Sequence, residues 1–231
     1  MSPCQLRRLA AISCLLLSVE ARADELQNSL VQAMRATQPD AYAFQRTMAF
    51  ERTGASRKVF VERFDPRRPA DQRWSLVSVD GHAPSDKEID QSRKTKRGPT
   101  PSYHELAEWF GAPATRSDSA PGYATYRFSR LPAGVVKIGS HDASADTQAE
   151  AVVNMKGKTP FVERVRFLSN KSFRMMLVAS VQSMDVSARY APLPNGAIIP
   201  AGSSSVMKGS MLGKSGQITT LVTFSGFESV R

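Results

Sequence analysis

Three histidines, His82, His104 and His141, are the only imidazoles in this 231-residue chain. Each could be a general base or a metal ligand, yet none has another histidine at ligand spacing. His82 follows Gly81 in a turn, His104 falls on the exposed side of a short helix, and His141-Asp142 opens a polar loop through Ser144 and Asp146. No strand, nucleophile turn and helix surround these residues as a hydrolase would require. No pair of carboxylates stands out for glycosidase chemistry. Gly209-Ser210-Met211-Leu212-Gly213-Lys214-Ser215 looks like a phosphate-binding loop but is one residue short between its glycines. Residues 217–224 then read as strand where a phosphate site needs a helix N-terminus, so a hairpin turn is expected there. Asn170-Lys171-Ser172 fits a glycosylation sequon and a hairpin turn alike, and the turn is preferred. These residues predict no metal, no cofactor and no enzyme. A hydrolase built from scattered residues stays the third choice of function.

The chain's beginning bears on where such chemistry would operate. Arg7 and Arg8 precede an apolar run over residues 9–19, followed by Ala21-Arg22-Ala23, the small-x-small pattern that signal peptidases cut. Residues 1–23 are therefore read as a cleaved secretory signal and residues 24–231 as the mature, periplasmic protein. The 11-residue apolar run falls short of the roughly 20 residues of a spanning helix. Ala11-Ile12-Ser13 before Cys14 does not match a lipoprotein signal, so no lipidation is expected at Cys14. Cleavage would leave 208 residues with a net charge of +8 and no cysteine, since Cys4 and Cys14 both lie in the signal. Disulfides, thiolate metal sites and cysteine nucleophiles are then excluded together. The domain must rely on its apolar core.

The elements follow from periodicity. Leu26, Leu30, Val31 and Met34 recur at helical spacing in residues 24–37, ahead of Pro39. From residue 41 the period drops to two, with Tyr42, Phe44, Met48 and Phe50 on one side of a strand. Residues 59–64 make a second strand and residues 73–79 a third, with Trp74 and Leu76 on one face and Val77 and Val79 on the other. Ser85 with Glu88, and Ser102 with Glu105, match the capping box of a helix start. The second of these helices carries Tyr103, Leu106, Ala107 and Phe110 on one stripe and ends at Gly111. Between them Arg93-Lys94-Thr95-Lys96-Arg97 opens a loop read as mobile. Such a run is first a solvated one, and second a contact for anionic headgroups or an acidic partner. No nucleic acid is expected as partner. From Tyr123 strands dominate, with turns at residues 157–160, 169–171, 192–196 and 213–216. Residues 173–190 read as one long strand with a bend or bulge near residues 180–183. The expectation is one mainly β domain of α+β type: an antiparallel meander with an N-terminal helix and a helical insertion over about residues 84–112.

Two stretches resemble a known family. Phe60-Val61-Glu62-Arg63-Phe64-Asp65-Pro66, with Arg73-Trp74-Ser75-Leu76-Val77-Ser78-Val79-Asp80-Gly81 and Ala83-Pro84, looks like the early strands of the periplasmic outer-membrane lipoprotein carrier superfamily. Residues 206–227 look like its closing hairpin. Arg68-Pro69 and Arg73-Trp74 follow that family's Arg-Pro and Arg-Trp only loosely, and residues 87–101 have no counterpart. The resemblance implies a curved antiparallel sheet forming an incomplete β-barrel. It also implies an apolar concavity for acyl chains or a lipoprotein anchor, with the helical insertion as lid. The function so implied is a non-enzymatic carrier or sensor of lipid or lipoprotein in the cell envelope, working with an envelope membrane protein. Met34, Met48, Met155, Met175, Met176, Met184, Met207 and Met211 supply deformable apolar groups compatible with this, although each singly reads as ordinary core. The alternative from another class is an envelope-stress regulatory domain binding a partner's peptide along a sheet edge or in its groove.

The ligand face so implied comprises Phe44, Arg46, Met48, Phe60, Phe64, Trp74 and Leu76. A three-residue loop Thr53-Gly54-Ala55 pairs Met48 with Phe60, Arg46 with Glu62 and Phe44 with Phe64. Each apolar residue then meets another, and the one cation meets the one anion. A cross-strand ion pair is the first expectation for Arg46, and a contact with a lid carbonyl or ligand headgroup the second.

Overall fold

Asp24 sets the start of the first helix, α1 (Glu25–Ala36), by accepting the Gln27 N–H at 2.7 Å on Oδ1. The same carboxylate accepts the Tyr126 hydroxyl at 2.7 Å and Arg116 Nη1 at 2.9 Å, so it ties the helix to the sheet beneath. Burial by itself would raise the Asp24 pKa. The Tyr126 hydroxyl, the Gln27 N–H and Arg116 together outweigh it and hold the carboxyl below its ordinary value of 3.8. A carboxyl lowered by folding stabilises the fold above its unfolded pKa and loses that contribution as pH falls through the folded value. Asp24→Ala is therefore expected to cost about 0.5–2 kcal/mol at neutral pH. The gap to wild type should narrow in thermal unfolding as the pH drops below about 4; a gap independent of pH would refute the assignment.

The computed structural model describes residues 24–94, 102–169, 171–176 and 179–230. Residues 1–23, read above as a signal, residues 95–97 of the basic run and Asn170 of the sequon lie outside them. After α1 come β1 (Tyr42–Arg52), β2 (Lys58–Phe64), β3 (Trp74–Val79) and α2 (Asp86–Lys94). A 3-10 turn, Glu105–Glu108, precedes β4 (Thr115–Ala120), β5 (Tyr123–Phe128), β6 (Lys137–Ile138) and β7 (His141–Asp142), and a second, Ser144–Asp146, follows β7. The chain closes with β8 (Gln148–Asn154), β9 (Phe161–Ser169), β10 (Phe173–Met176), β11 (Ala179–Pro192), β12 (Ile198–Met211) and β13 (Lys214–Ser229).

All strands but the β6–β7 ribbon join one antiparallel sheet in the order β3-β2-β1-β13-β12-β11-β9-β8-β5-β4, with β10 also on β11. The sheet is curved and not closed, and β3 and β4 are its outer strands. β13 returns to pair with β1, Met48 opposite Val222, and the order also passes over β10 between β9 and β11 and over the β6–β7 ribbon between β5 and β8. Residues directly opposite each other share a face. One line therefore runs across the sheet from Val79 through Phe60, Met48, Val222, Ser203, Ala188, Val165 and Ala151 to Tyr126.

The β11 side of that line is core. Ala188, Val165, Ala151 and Tyr126 are at most 2% exposed and pack with Leu30, Val31 and Met34 of α1. Gln27, also buried, donates from Nε2 to the Phe110 and Ala112 carbonyls at 2.6 and 2.9 Å, satisfying acceptors the core would otherwise strand. Both capping boxes form: Glu88 accepts the Ser85 N–H at 2.8 Å, and Glu105 accepts the Ser102 N–H at 2.8 Å. Their fates differ. α2 buries no side chain fully and lies beside β3, whereas Tyr103, Leu106, Trp109 and Phe110 belong to the core over β5, β8 and β9. The Tyr103 hydroxyl accepts the Val162 N–H at 3.1 Å, and burial pushes its pKa up to about 12.

Three expectations change. His104 is not on an exposed side: its Nδ1 meets the Thr37 carbonyl at 2.9 Å, joining the 3-10 turn to the end of α1. Residues 173–190 are not one strand, because Phe173 pairs back on Val181 as β10 against β11. The bulge foreseen there is real and falls between Val181 and Ser183 in the pairing with β12. Finally Val79 does not share a face with Val77. The pairing slips between Val61 and Glu62, which face Ser78 and Leu76, so Val77 is the extra residue and Val79 moves opposite Phe60. Val77 is 47% exposed and Val79 1%.

Candidate functional site: the inner face of the first strands

β1 and β2 form the expected hairpin, with the Ala55 N–H bonded to the Arg52 carbonyl and Gly54 at φ 75°. Its register places Met48 opposite Phe60, Arg46 opposite Glu62 and Phe44 opposite Phe64. β3 adds Leu76 opposite Glu62 and Trp74 opposite Phe64. All seven predicted residues thus lie on one face, the inner face that continues into the core. No residue of β1, β2, β3 or β13 belongs to that core. Phe44, Met48, Phe60, Trp74 and Leu76 are half-buried, and Phe64 and Arg46 are buried.

Phe44 is the hub. Its ring lies 5.1 Å from Phe64, 5.7 Å from Trp74, 5.6 Å from Phe224 and 5.5 Å from Phe227. Phe224 and Phe227 escaped the sequence reading. Phe224 continues the alternation of Ile218, Thr220 and Val222, which could have placed it on a face, but not beside Phe44. Phe227 breaks the alternation. Gly226 sits at φ 61° where Ala43 and Gln45 face Glu228 and Ser225, a bulge that returns Phe227 to the side of Phe224.

Beside the rings lies a buried ion pair. Arg46 Nε donates to Glu62 Oε2 at 3.0 Å and Nη2 donates to the same oxygen, with the two residues 6% and 5% exposed. The guanidinium carbon stands 4.2 Å from the centre of the Trp74 ring, a cation–π contact. The pairing is the expected one, but its setting is not the exposed one in which such pairs are worth a few tenths of a kcal/mol. In the interior the desolvation of both ions must be offset by their contacts.

The remaining candidates have other neighbours. His82 lies in the turn where Val79 and His82 bridge, with Nδ1 2.9 Å from the Ala83 carbonyl. His141 stacks on Phe173 at 4.0 Å. Ser144 Oγ donates to Asp142 at 2.5 Å, and the same Oγ accepts the Val136 N–H, which holds the ribbon's loop. The phosphate-loop look-alike is the β12–β13 turn, closed by Met211 opposite Lys214. Among the described residues no group of three or more His, Cys, Asp or Glu side chains gathers to hold a metal. A depression of about 660 Å³ lies at the other end of the strand order, bordered by Pro113, Arg127, Phe128 and Glu150. None of the predicted residues lines it. What the β1–β3 face can do is therefore shed water from an apolar chain laid along it, with one buried cation and anion beside it.

No family model matches the chain. No curated protein matches it in sequence either. Among solved structures, that of a LolA superfamily protein from Nitrosomonas europaea is similar over 89% of this chain and 94% of that one, at 11% identity and a TM-score of 0.40.

Proposed function

We propose that the protein is an exported, periplasmic carrier or sensor that holds the acyl chains of a lipid or lipoprotein on the inner face of β1, β2, β3 and β13. One observation carries this reading. The apolar line that makes a closed core under α1 runs on through Val222, Met48 and Phe60 into strands that contribute nothing to that core. A monomer seldom leaves a contiguous apolar and aromatic face partly open without an occupant, and acyl chains need burial without directional contacts. The residues assigned to the ligand are Phe44, Met48, Phe60, Phe64, Trp74 and Leu76, with Arg46 as a donor toward a headgroup or lid carbonyl. The chemistry is binding, with no bond made or broken.

The test uses the mature chain stripped of lipid. A fluorescent fatty acid should bind saturably and be displaced by phospholipid or a lipopeptide. Met48→Gln puts an amide in the middle of the apolar line and should weaken binding about tenfold, the equivalent of roughly 1.4 kcal/mol. Absence of saturable binding would remove the carrier reading. The second reading, a partner's peptide added to the sheet, is favoured by the outer strands β3 and β4, which the sheet leaves unclosed. An apolar extract of the purified protein separates them: copurifying lipid favours the carrier.

A further inference from the structure

The β12–β13 hairpin ends in a turn of unusual composition. Beyond Ile218, the last residue of β13 paired with β1, the strands β12 and β13 continue to Met211 opposite Lys214. From Met207, opposite Ile218, to Met211 is a reach of roughly 13 Å at the rise of a strand. The turn residues Leu212 and Gly213 both have positive φ, 51° and 76°. Such two-residue turns favour Asn-Gly, because leucine in the left-handed region is strained. Leu212 is nevertheless there, 73% exposed, and Met211 beside it is 56% exposed. They are the two most exposed of the large apolar side chains on the described surface. A strained, uncovered leucine at the tip serves neither the turn nor the core.

The charge around the tip points to its occupant. β10 and β11 run alongside the hairpin, with Arg174 opposite Ser180 and Ser180 opposite Ser210. The β1–β2 turn comes in from the other flank, where the Thr53 N–H bonds the Gln217 carbonyl at 3.0 Å. Residues 51–58, 171–176 and 208–217, which meet at this end, carry seven cations and a single acid, Glu51. Glu51 is taken up by Arg57 at 3.5 Å, and Lys171 by Asp146 at 2.7 Å. Arg52, Arg174, Lys208 and Lys214 are exposed and make no ion pair among the described residues.

We propose that this end of the sheet is a docking element for an anionic lipid bilayer, with Leu212 and Met211 entering the headgroup layer and Lys208, Lys214, Arg52 and Arg174 facing the lipid charge. Apolar side chains at a narrow tip, ringed by unpaired cations, suit a surface that is anionic outside and apolar just beneath. A soluble anionic protein would match the cations but offer no reason for the leucine. The inference does not rest on the inner face holding lipid, since the tip residues lie outside the β1–β3 cluster.

The full chain is tested by flotation with vesicles of phosphatidylethanolamine and phosphatidylglycerol, against vesicles of phosphatidylcholine alone. Binding to the anionic vesicles should weaken with added salt. Lys208→Gln with Lys214→Gln should weaken it by roughly 25-fold, about fivefold for each charge. Leu212→Asn is the deciding variant, because asparagine suits the turn better. It should keep or raise the thermal midpoint while lowering vesicle binding about tenfold or more. Equal binding to both vesicle types, or unchanged binding by a folded Leu212→Asn, would overturn the proposal. If Leu212→Asn failed to fold, the double lysine variant with an unchanged thermal midpoint would decide in its place. Fatty-acid affinity should be unaltered in these variants, which keeps this result separate from the carrier test.

Discussion

Arg46→Met should destabilise the protein by about 3–5 kcal/mol in urea unfolding, because it leaves the Glu62 carboxylate, 5% exposed, without its guanidinium. Glu62→Gln leaves the buried cation over Trp74 with a neutral acceptor and should cost less. Replacing both, Arg46→Met with Glu62→Leu, should recover most of the loss and could exceed wild type, since an apolar pair has no ions to desolvate. Single losses within 0.2–1 kcal/mol would mean that the pair behaves as a solvated one and that the burial argument fails. The same variants report on function. Coupling in stability with unchanged fatty-acid affinity assigns the pair to the fold alone. An affinity loss confined to Arg46→Met assigns the guanidinium to the ligand as well, using donors that one carboxylate does not absorb.

Phe110→Ala and Phe44→Ala should separate the two halves of the inner face. Phe110 is 0% exposed, and its ring lies 5.3 Å from Tyr126, 5.7 Å from Phe128 and 6.0 Å from Trp109. Truncating it should cost about 3–5 kcal/mol and leave fatty-acid affinity untouched. Phe44 touches four rings but stays half-buried at the open end, where neighbours and solvent can relax into the gap. Its truncation should cost less stability and reduce fatty-acid affinity about tenfold or more. If Phe110→Ala lowered affinity as much as Phe44→Ala in folded protein, ligand and core would not be distinct regions of this sheet.

What could be read in advance was whatever neighbours in the chain decide between themselves. The register of β1 on β2 follows from a short turn at Gly54 and from the match of apolar with apolar and cation with anion, all within 21 residues from Phe44 to Phe64. Both capping boxes needed only a hydroxyl and a carboxylate three residues apart. The P-loop look-alike could be dismissed because the strand after it is visible in its alternation.

Distance along the chain marks where this stopped. Phe224 and Phe227 reach Phe44 only because β13 returns to β1, a pairing that strand periodicity does not encode. Alternation also assumes that no residue is inserted. One extra residue at Val77 carried Val79 to the other face, and one at Gly226 brought Phe227 back to the side of Phe224. His104 read as exposed on its own helix because the end of α1 that accepts its Nδ1–H lies 67 residues earlier. The residue types of the inner face were thus set by local pattern and turn chemistry. Only the assembled sheet decided that one half of that face closes under α1 and Phe110 and that the other half buries an ion pair. Burial and bulge placement are properties of surfaces brought together from distant parts of the chain, and their energies exist only once those surfaces meet.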